Sequence, residues 1–155
     1  MLYKKYRLYD EGIEIMIPSD LRESGAYTVL QNNFMSQNGR VVVTITKGGS
    51  RLPQEQLVAR LNEYYQGFVR DVIGFECIRI NKRQFLKDVF GELRYSSSMM
   101  GYQFYNVFIL GIYEGNELIV TMQCMQEEAA DNERVFDNIA DSIRILKRDR
   151  NTEAR

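Results

Sequence analysis

From Phe75 to Met125 the apolar residues of this chain recur with a period of two over about fifty residues, the repeat of β-strands. No other feature constrains the fold as strongly. The run divides into strands near Phe75 to Phe85, Val89 to Ser98, Tyr102 to Tyr113 and Glu117 to Met125, the last two joined by a turn at Gly115-Asn116. The connections are too short for parallel crossovers, so the four strands form an antiparallel meander. The third is apolar on both faces. Tyr102, Phe104, Phe108, Leu110 and Ile112 share one side, and Tyr105, Val107, Ile109 and Tyr113 share the other. Such a strand has to be central and covered above and below.

Two helices are available as covers. Across Pro53 to Val72, Leu57, Leu61, Tyr64, Phe68 and Val72 form an apolar stripe, opposite Glu55, Arg60, Glu63 and Arg70. Proline suits the first turn, and Gly74 supplies a stop. Across Asp131 to Leu146 the stripe is Val135, Phe136, Ile139, Ile143 and Leu146. Glu133, Asp137 and Asp141 step along its other side and read as a solvated polar face, and Asp141 with Arg144 as an i, i+3 ion pair.

Ahead of the first helix lie two further strand pairs. Tyr3 to Tyr9 and Gly12 to Ile17 flank Asp10-Glu11-Gly12, with Ile13, Ile15 and Ile17 alternating, and Pro18-Ser19-Asp20 ends the second strand. Tyr27 to Ser36 and Arg40 to Lys47 flank Asn38-Gly39, a type I′ hairpin signal. β-branched residues on both sides of Val41 to Thr46 predict a covered strand, and Gly48-Gly49-Ser50 reads as a turn that breaks the ladder. The glycine pair lacks the wider spacing and the Lys-Ser/Thr of a phosphate loop.

The sequence therefore predicts an α+β domain over residues 1–147, an antiparallel sheet of about six to eight strands with helices on both faces, followed by a charged tail at 148–155. A chain of 155 residues can bury such a core without disulfides or metal. Cys77 and Cys124 both fall in strand-like runs and read as buried thiols.

Composition narrows function mainly by exclusion. The chain has no histidine, which removes Ser-His-Asp and Cys-His catalysis and every His-containing zinc site. Only carboxylate or lysine chemistry would remain, and no acid pair stands out, so the reading is of a non-enzyme without a cofactor or metal. Twenty Lys+Arg against 21 Asp+Glu give a net charge of -1, with no field that favours nucleic acid. The basic residues near the ends, Lys4, Lys5 and Arg7 and then Lys147, Arg148 and Arg150, read as solvated termini. No run approaches the roughly 20 apolar residues of a membrane span. Tyr3-Lys4-Lys5-Tyr6-Arg7 interrupts any signal-peptide core, so a cytoplasmic location is expected.

The order of elements resembles the PsbP-like superfamily. The resemblance rests on an early hairpin ending in IEIMIPSDL, the VVVTITKG strand, the helix from Pro53, the meander and the terminal VFDNIADSIRIL helix. That superfamily includes the photosystem II extrinsic protein, the Ran-release factor Mog, DcrB-type bacterial proteins and EagR-type secretion chaperones. The resemblance implies an α/β/α sandwich and a role that is usually non-catalytic, in binding or assisting other proteins.

One segment departs from ordinary hairpin chemistry. Ser96-Ser97-Ser98-Met99-Met100-Gly101-Tyr102 places two methionines and an aromatic where turn residues are normally polar. Either the tip folds over a neighbouring helix end or Met99, Met100 and Tyr102 form a partner-binding patch. Tyr95, Tyr102, Tyr105 and Tyr113 could line one region of the sheet, which leaves a second reading: a small-molecule or lipid site in an aromatic cleft between sheet and helix.

Overall fold

The computed structural model describes residues 1–24, 31–85 and 87–146; the charged tail, and the part of the predicted strand from Tyr27 that falls within residues 25–30, lie outside these. Among the described residues the strands are β1 (Tyr3–Leu8), β2 (Ile13–Pro18), β3 (Arg22–Glu23), β4 (Gln31–Met35), β5 (Val42–Arg51), β6 (Glu76–Phe85), β7 (Asp88–Met99), β8 (Tyr102–Tyr113), β9 (Asn116–Met125) and β10 (Arg144–Ile145). Helix α1 (Leu57–Asp71) precedes β6, and α2 (Ala129–Ser142) follows β9. Seven strands make one antiparallel sheet in the order β3-β4-β5-β9-β8-β7-β6, and β1-β2-β10 make a smaller one.

The two-faced pattern of β8 organises the molecule. Phe108 and Leu110 join Leu93 and Leu52 beneath Leu57 and Leu61 of α1. Tyr105, Val107 and Ile109 meet the other layer, where Ile13, Ile15 and Ile17 of β2 pack beside Phe136 and Ile139 of α2. Each fully buried side chain of this size contributes about 1.5–3 kcal/mol, so both layers are needed to hold the sheet. Gly91 lets α1 approach closely, because a Cβ there would lie 2.7 Å from Leu61 Cδ2.

The predicted sandwich, with helices on both faces and β8 in the interior of the sheet, is the one observed. Several local readings change. β5 runs through Gly48-Gly49-Ser50 to Arg51, with a register irregularity after Lys47 in place of a turn. Helix α1 packs on β7 and β8, and on its side of β5 Val42, Thr44 and Thr46 are half-buried. Asn33, Thr44 and Gln123 there bond to polar neighbours; Thr44 Oγ1, for instance, donates to Asn33 Oδ1 at 2.8 Å. Helix α2 stops at Ser142 because Ile143 adopts extended geometry (φ -67, ψ 126), after which Arg144 and Ile145 pair with Glu14 and Ile13. Positive φ falls at Glu114-Gly115, not at Gly115-Asn116, and in the earlier hairpin Gly39 has positive φ while Asn38 does not. Cys77 is exposed because β6 is an edge strand, whereas Cys124 is buried.

Candidate interaction surface

The β7–β8 hairpin closes on the pair Met99 and Tyr102, with Met100 and Gly101 as the central turn residues. Both have positive φ, 53 and 86, the requirement of a two-residue type I′ turn. Glycine meets it without strain, but a methionine in the left-handed region costs about 1–2 kcal/mol. Its side chain gains nothing by burial, since Met100 is 89% exposed, beside Met99 at 62% and Tyr102 at 60%. Among the described residues no helix end folds over this tip. Ser98 N–H donates to the Ile73 carbonyl at 2.9 Å, which brings another exposed apolar residue, Ile73, alongside. Gly74 (φ 70) permits that approach, as a Cβ there would lie 2.5 Å from Ser98 Oγ.

A groove of about 640 Å³ runs along the opposite flank of α1 and includes Ser50, Tyr64, Gly67 and Phe68. Its buried acid, Glu117, is already satisfied: Arg60 Nη1 donates to Oε2 at 2.5 Å and Tyr64 Oη to Oε1 at 2.8 Å. Burial, reinforced by the hydrogen bond to Glu117 and by its negative charge, pushes the Tyr64 phenol up to about 12. The rings nearby pack on one another, Tyr64 with Phe108 at 4.9 Å between centroids and Phe68 with Tyr95 at 5.2 Å. The groove is open, with a polar flank and an aromatic base that belongs to the core. The four tyrosines considered together from sequence do not share a region. Tyr95 packs with the α1 cluster, Tyr105 and Tyr113 lie in the other layer, and Tyr102 sits at the exposed tip.

The acidic side of α2 is solvated as predicted at Glu133 and Asp141 and half-buried at Asp137, but it also carries ion pairs that the sequence reading lacks. Glu133 is exposed, but Asp137 and Asp141 turn toward β6 and β7. Arg83 donates from Nε to Glu92 Oε1 at 2.8 Å, from Nη2 to Asp137 Oδ1 at 3.2 Å, and from Nη1 to Asp141. Arg94, fully buried, donates to Tyr105 Oη at 2.8 Å, to Glu92 Oε1 at 3.3 Å and to Asp137. Burial alone would lower the Arg94 pKa; the bond to Tyr105 and the charges of Glu92 and Asp137 more than reverse this, holding it above the usual guanidinium value. Arg144 donates instead to the Asp141 carbonyl at 2.6 Å. The signal missed in the sequence is the alternation of Arg79, Arg83, Glu92 and Arg94 along one face of two paired strands. This array clamps the sheet edge to α2, a structural role.

No family model matches the chain, and no curated protein matches its sequence. Solved structures do. Cyanobacterial PsbP (CyanoP) from Synechocystis is 13% identical with a TM-score of 0.67, covering 92% of this chain and 92% of its own. The Saccharomyces cerevisiae Ran-binding protein Mog1p is 8% identical with a TM-score of 0.60, over 95% and 97%. The immunity protein TplEi of T6SS from Pseudomonas aeruginosa, complexed with "L" peptide, is 15% identical with a TM-score of 0.54, over 86% of this chain and 48% of its own. At these identities the likeness is one of fold, and the fold of this chain is the PsbP-like one.

Proposed function

We propose that the protein is a non-enzymatic interaction module, an adaptor or chaperone that presents the β7–β8 tip to another protein. The observation that carries this reading is Met100: an exposed apolar side chain held in a strained left-handed turn that asparagine or glycine would occupy more readily. Met99, Tyr102 and Ile73 extend the apolar surface around it. Two proteins of the same fold, one described as Ran-binding and one in complex with a peptide, support a binding role. The absence of histidine from the sequence supports a role without catalysis. An exposed thiol at Cys77 that forms no disulfide favours a reducing compartment such as the cytoplasm.

The test is affinity capture from the native organism with wild type and Met99→Asp/Met100→Asp. Loss of a partner from the variant is expected, and equal recovery of every partner removes the proposal. The groove beside Tyr64 favours a second reading, a small-molecule site. Native mass spectrometry reporting a retained ligand, lost on Tyr64→Ala, would support it.

A further inference from the structure

The seven methionines of the chain differ widely in access. Met122 is 1% exposed in the core, and Met16, Met35 and Met125 are half-buried. Met99 and Met100 stand open at the hairpin tip, and of the others Met1 alone is as exposed. Peroxides convert solvent-accessible methionines to sulfoxides ahead of buried ones.

Exposure alone would make the tip a place of damage. What the tip is built from makes it a switch. A leucine at position 100 would carry the same left-handed strain (φ 53) and a similar apolar area, but it has no oxidisable atom. Methionine supplies two of the four apolar side chains in the patch, beside Tyr102 and Ile73. Sulfoxides at both would make those two polar and chiral. The fold loses nothing, because neither side chain is buried and the tie to Ile73 runs through the Ser98 backbone N–H. The same change at Met122 would set a polar group in the core.

We propose that Met99 and Met100 are a modification site at which a peroxide switches the interaction surface off while the fold stays intact. In each step a sulfur lone pair attacks one peroxide oxygen, and the O–O bond breaks as the S–O bond forms. The sulfur is oxidised by two electrons, and hydrogen peroxide is reduced to one water per sulfoxide. A methionine sulfoxide reductase reverses the step with a dithiol, which ends as a disulfide while the oxygen leaves as water. The switch deepens the interaction reading and rests on it.

The experiment exposes the whole chain to hydrogen peroxide, with Cys77→Ser in every sample so that its open thiol adds nothing. Peptide mapping by mass spectrometry should find sulfoxide at Met99 and Met100 before Met16, Met35, Met122 and Met125, with Met1 as the standard for an open sulfur. The urea midpoint should not move. Retention on a phenyl column, which reads apolar surface without a partner, should fall more than it does for Met99→Leu/Met100→Leu. In the capture assay the oxidised protein should recover about a tenth or less of the partner, the effect of burying an unpaired polar group. Reductase with dithiothreitol should restore recovery, and the leucine variant should capture equally before and after peroxide. Half-buried methionines oxidised as fast as the tip, a lowered urea midpoint, or equal losses by the leucine variant would each overturn the switch. Capture lost with Met99→Asp/Met100→Asp but kept after tip oxidation refutes the switch and leaves the interaction module standing. Capture kept in both cases removes both.

Discussion

Strand β8 ends in two hairpins whose backbones solve the same problem and whose side chains do opposite things. At one end Glu114 and Gly115 have φ of 53 and 79; at the other Met100 and Gly101 have 53 and 86. The Glu114 end is tied down. Its carboxylate reaches Lys47 Nζ at 3.1 Å, the Gly115 carbonyl accepts from Leu52 N–H at 2.8 Å, and buried Tyr113 lies under Gly12. Nearby Tyr9, Asp10 and Glu11 hold three consecutive positive φ values, 55, 59 and 63, a run sustained only because its neighbours fix it. At the Met100 end the Ser98 N–H bond to the Ile73 carbonyl ties the strand two residues back, and Met100 itself stays exposed. Turn geometry and exposure are therefore common to both ends and cannot explain the methionine; what differs is that the side chain and carbonyl of the Glu114-Gly115 tip bond to neighbouring segments.

The largest effect should come from breaking the tied end. A Cβ on Gly12 would lie 1.8 Å from Tyr113 Oη and 2.6 Å from Cζ, so Gly12→Ala has to displace the ring. A loss of about 3 kcal/mol in urea denaturation is expected; a loss below about 1 kcal/mol would mean that the ring moves freely and the end is not locked.

Alkaline pH should loosen the same end next. Burial raises the Tyr9 and Tyr113 phenols above 10.0. Unfolded phenols ionise first, so this stabilisation is full below pH 10 and fades as pH climbs through the higher folded values. Tyr113→Phe should flatten that fall in denaturation midpoint relative to wild type. Parallel profiles would show that Tyr113 contributes nothing to it.

At the free end a turn-compatible residue should help stability. Met100→Asn is expected to add about 0.5–1 kcal/mol, whereas Glu114→Asn should change stability by less than about 0.5 kcal/mol as relief of strain offsets the exposed Lys47 pair. Destabilisation by Met100→Asn would reveal intramolecular packing of the methionine. The smallest effect concerns thiols. Iodoacetamide at pH 8 should add one label, at exposed Cys77, with no change in melting. Cys124, whose thiol burial pushes up to about 11, should stay unmodified; two labels on the folded protein would contradict its burial.

Much of the fold was legible because it rests on local periodicity. The strand predicted from Tyr102 to Tyr113 has those bounds, and its two apolar faces called for two covering layers. Helix α1 and the meander followed from the same reasoning. What escaped prediction depends on distant residues. Asp137 meets Arg94 and Arg83 across 43 and 54 positions, and a helical stripe alone cannot distinguish an acid facing water from one facing a buried guanidinium. The end of α2 was hidden because Ile139 and Ile143 fit helical spacing, although Ile143 turns into a strand that β2 completes. At the candidate site the identity of Met99, Met100 and Tyr102 was legible, but their exposure depended on where the end of α1 lay.

The charged clamp between the sheet edge and α2 bears on how this protein can change over time. Arg79, Arg83 and Arg94 balance Glu92, Asp137 and Asp141, with Glu92 and Arg94 fully buried. Losing either of those two leaves the other buried with fewer partners, Arg94 with Asp137 and Tyr105, or Glu92 with Arg79 and Arg83, at a cost of about 1–3 kcal/mol, while joint replacement by apolar side chains can be neutral. Single steps at the buried centre of the array are therefore costly, and descendants of this chain should keep Glu92 and Arg94 together or lose them together, while the exposed members vary more freely.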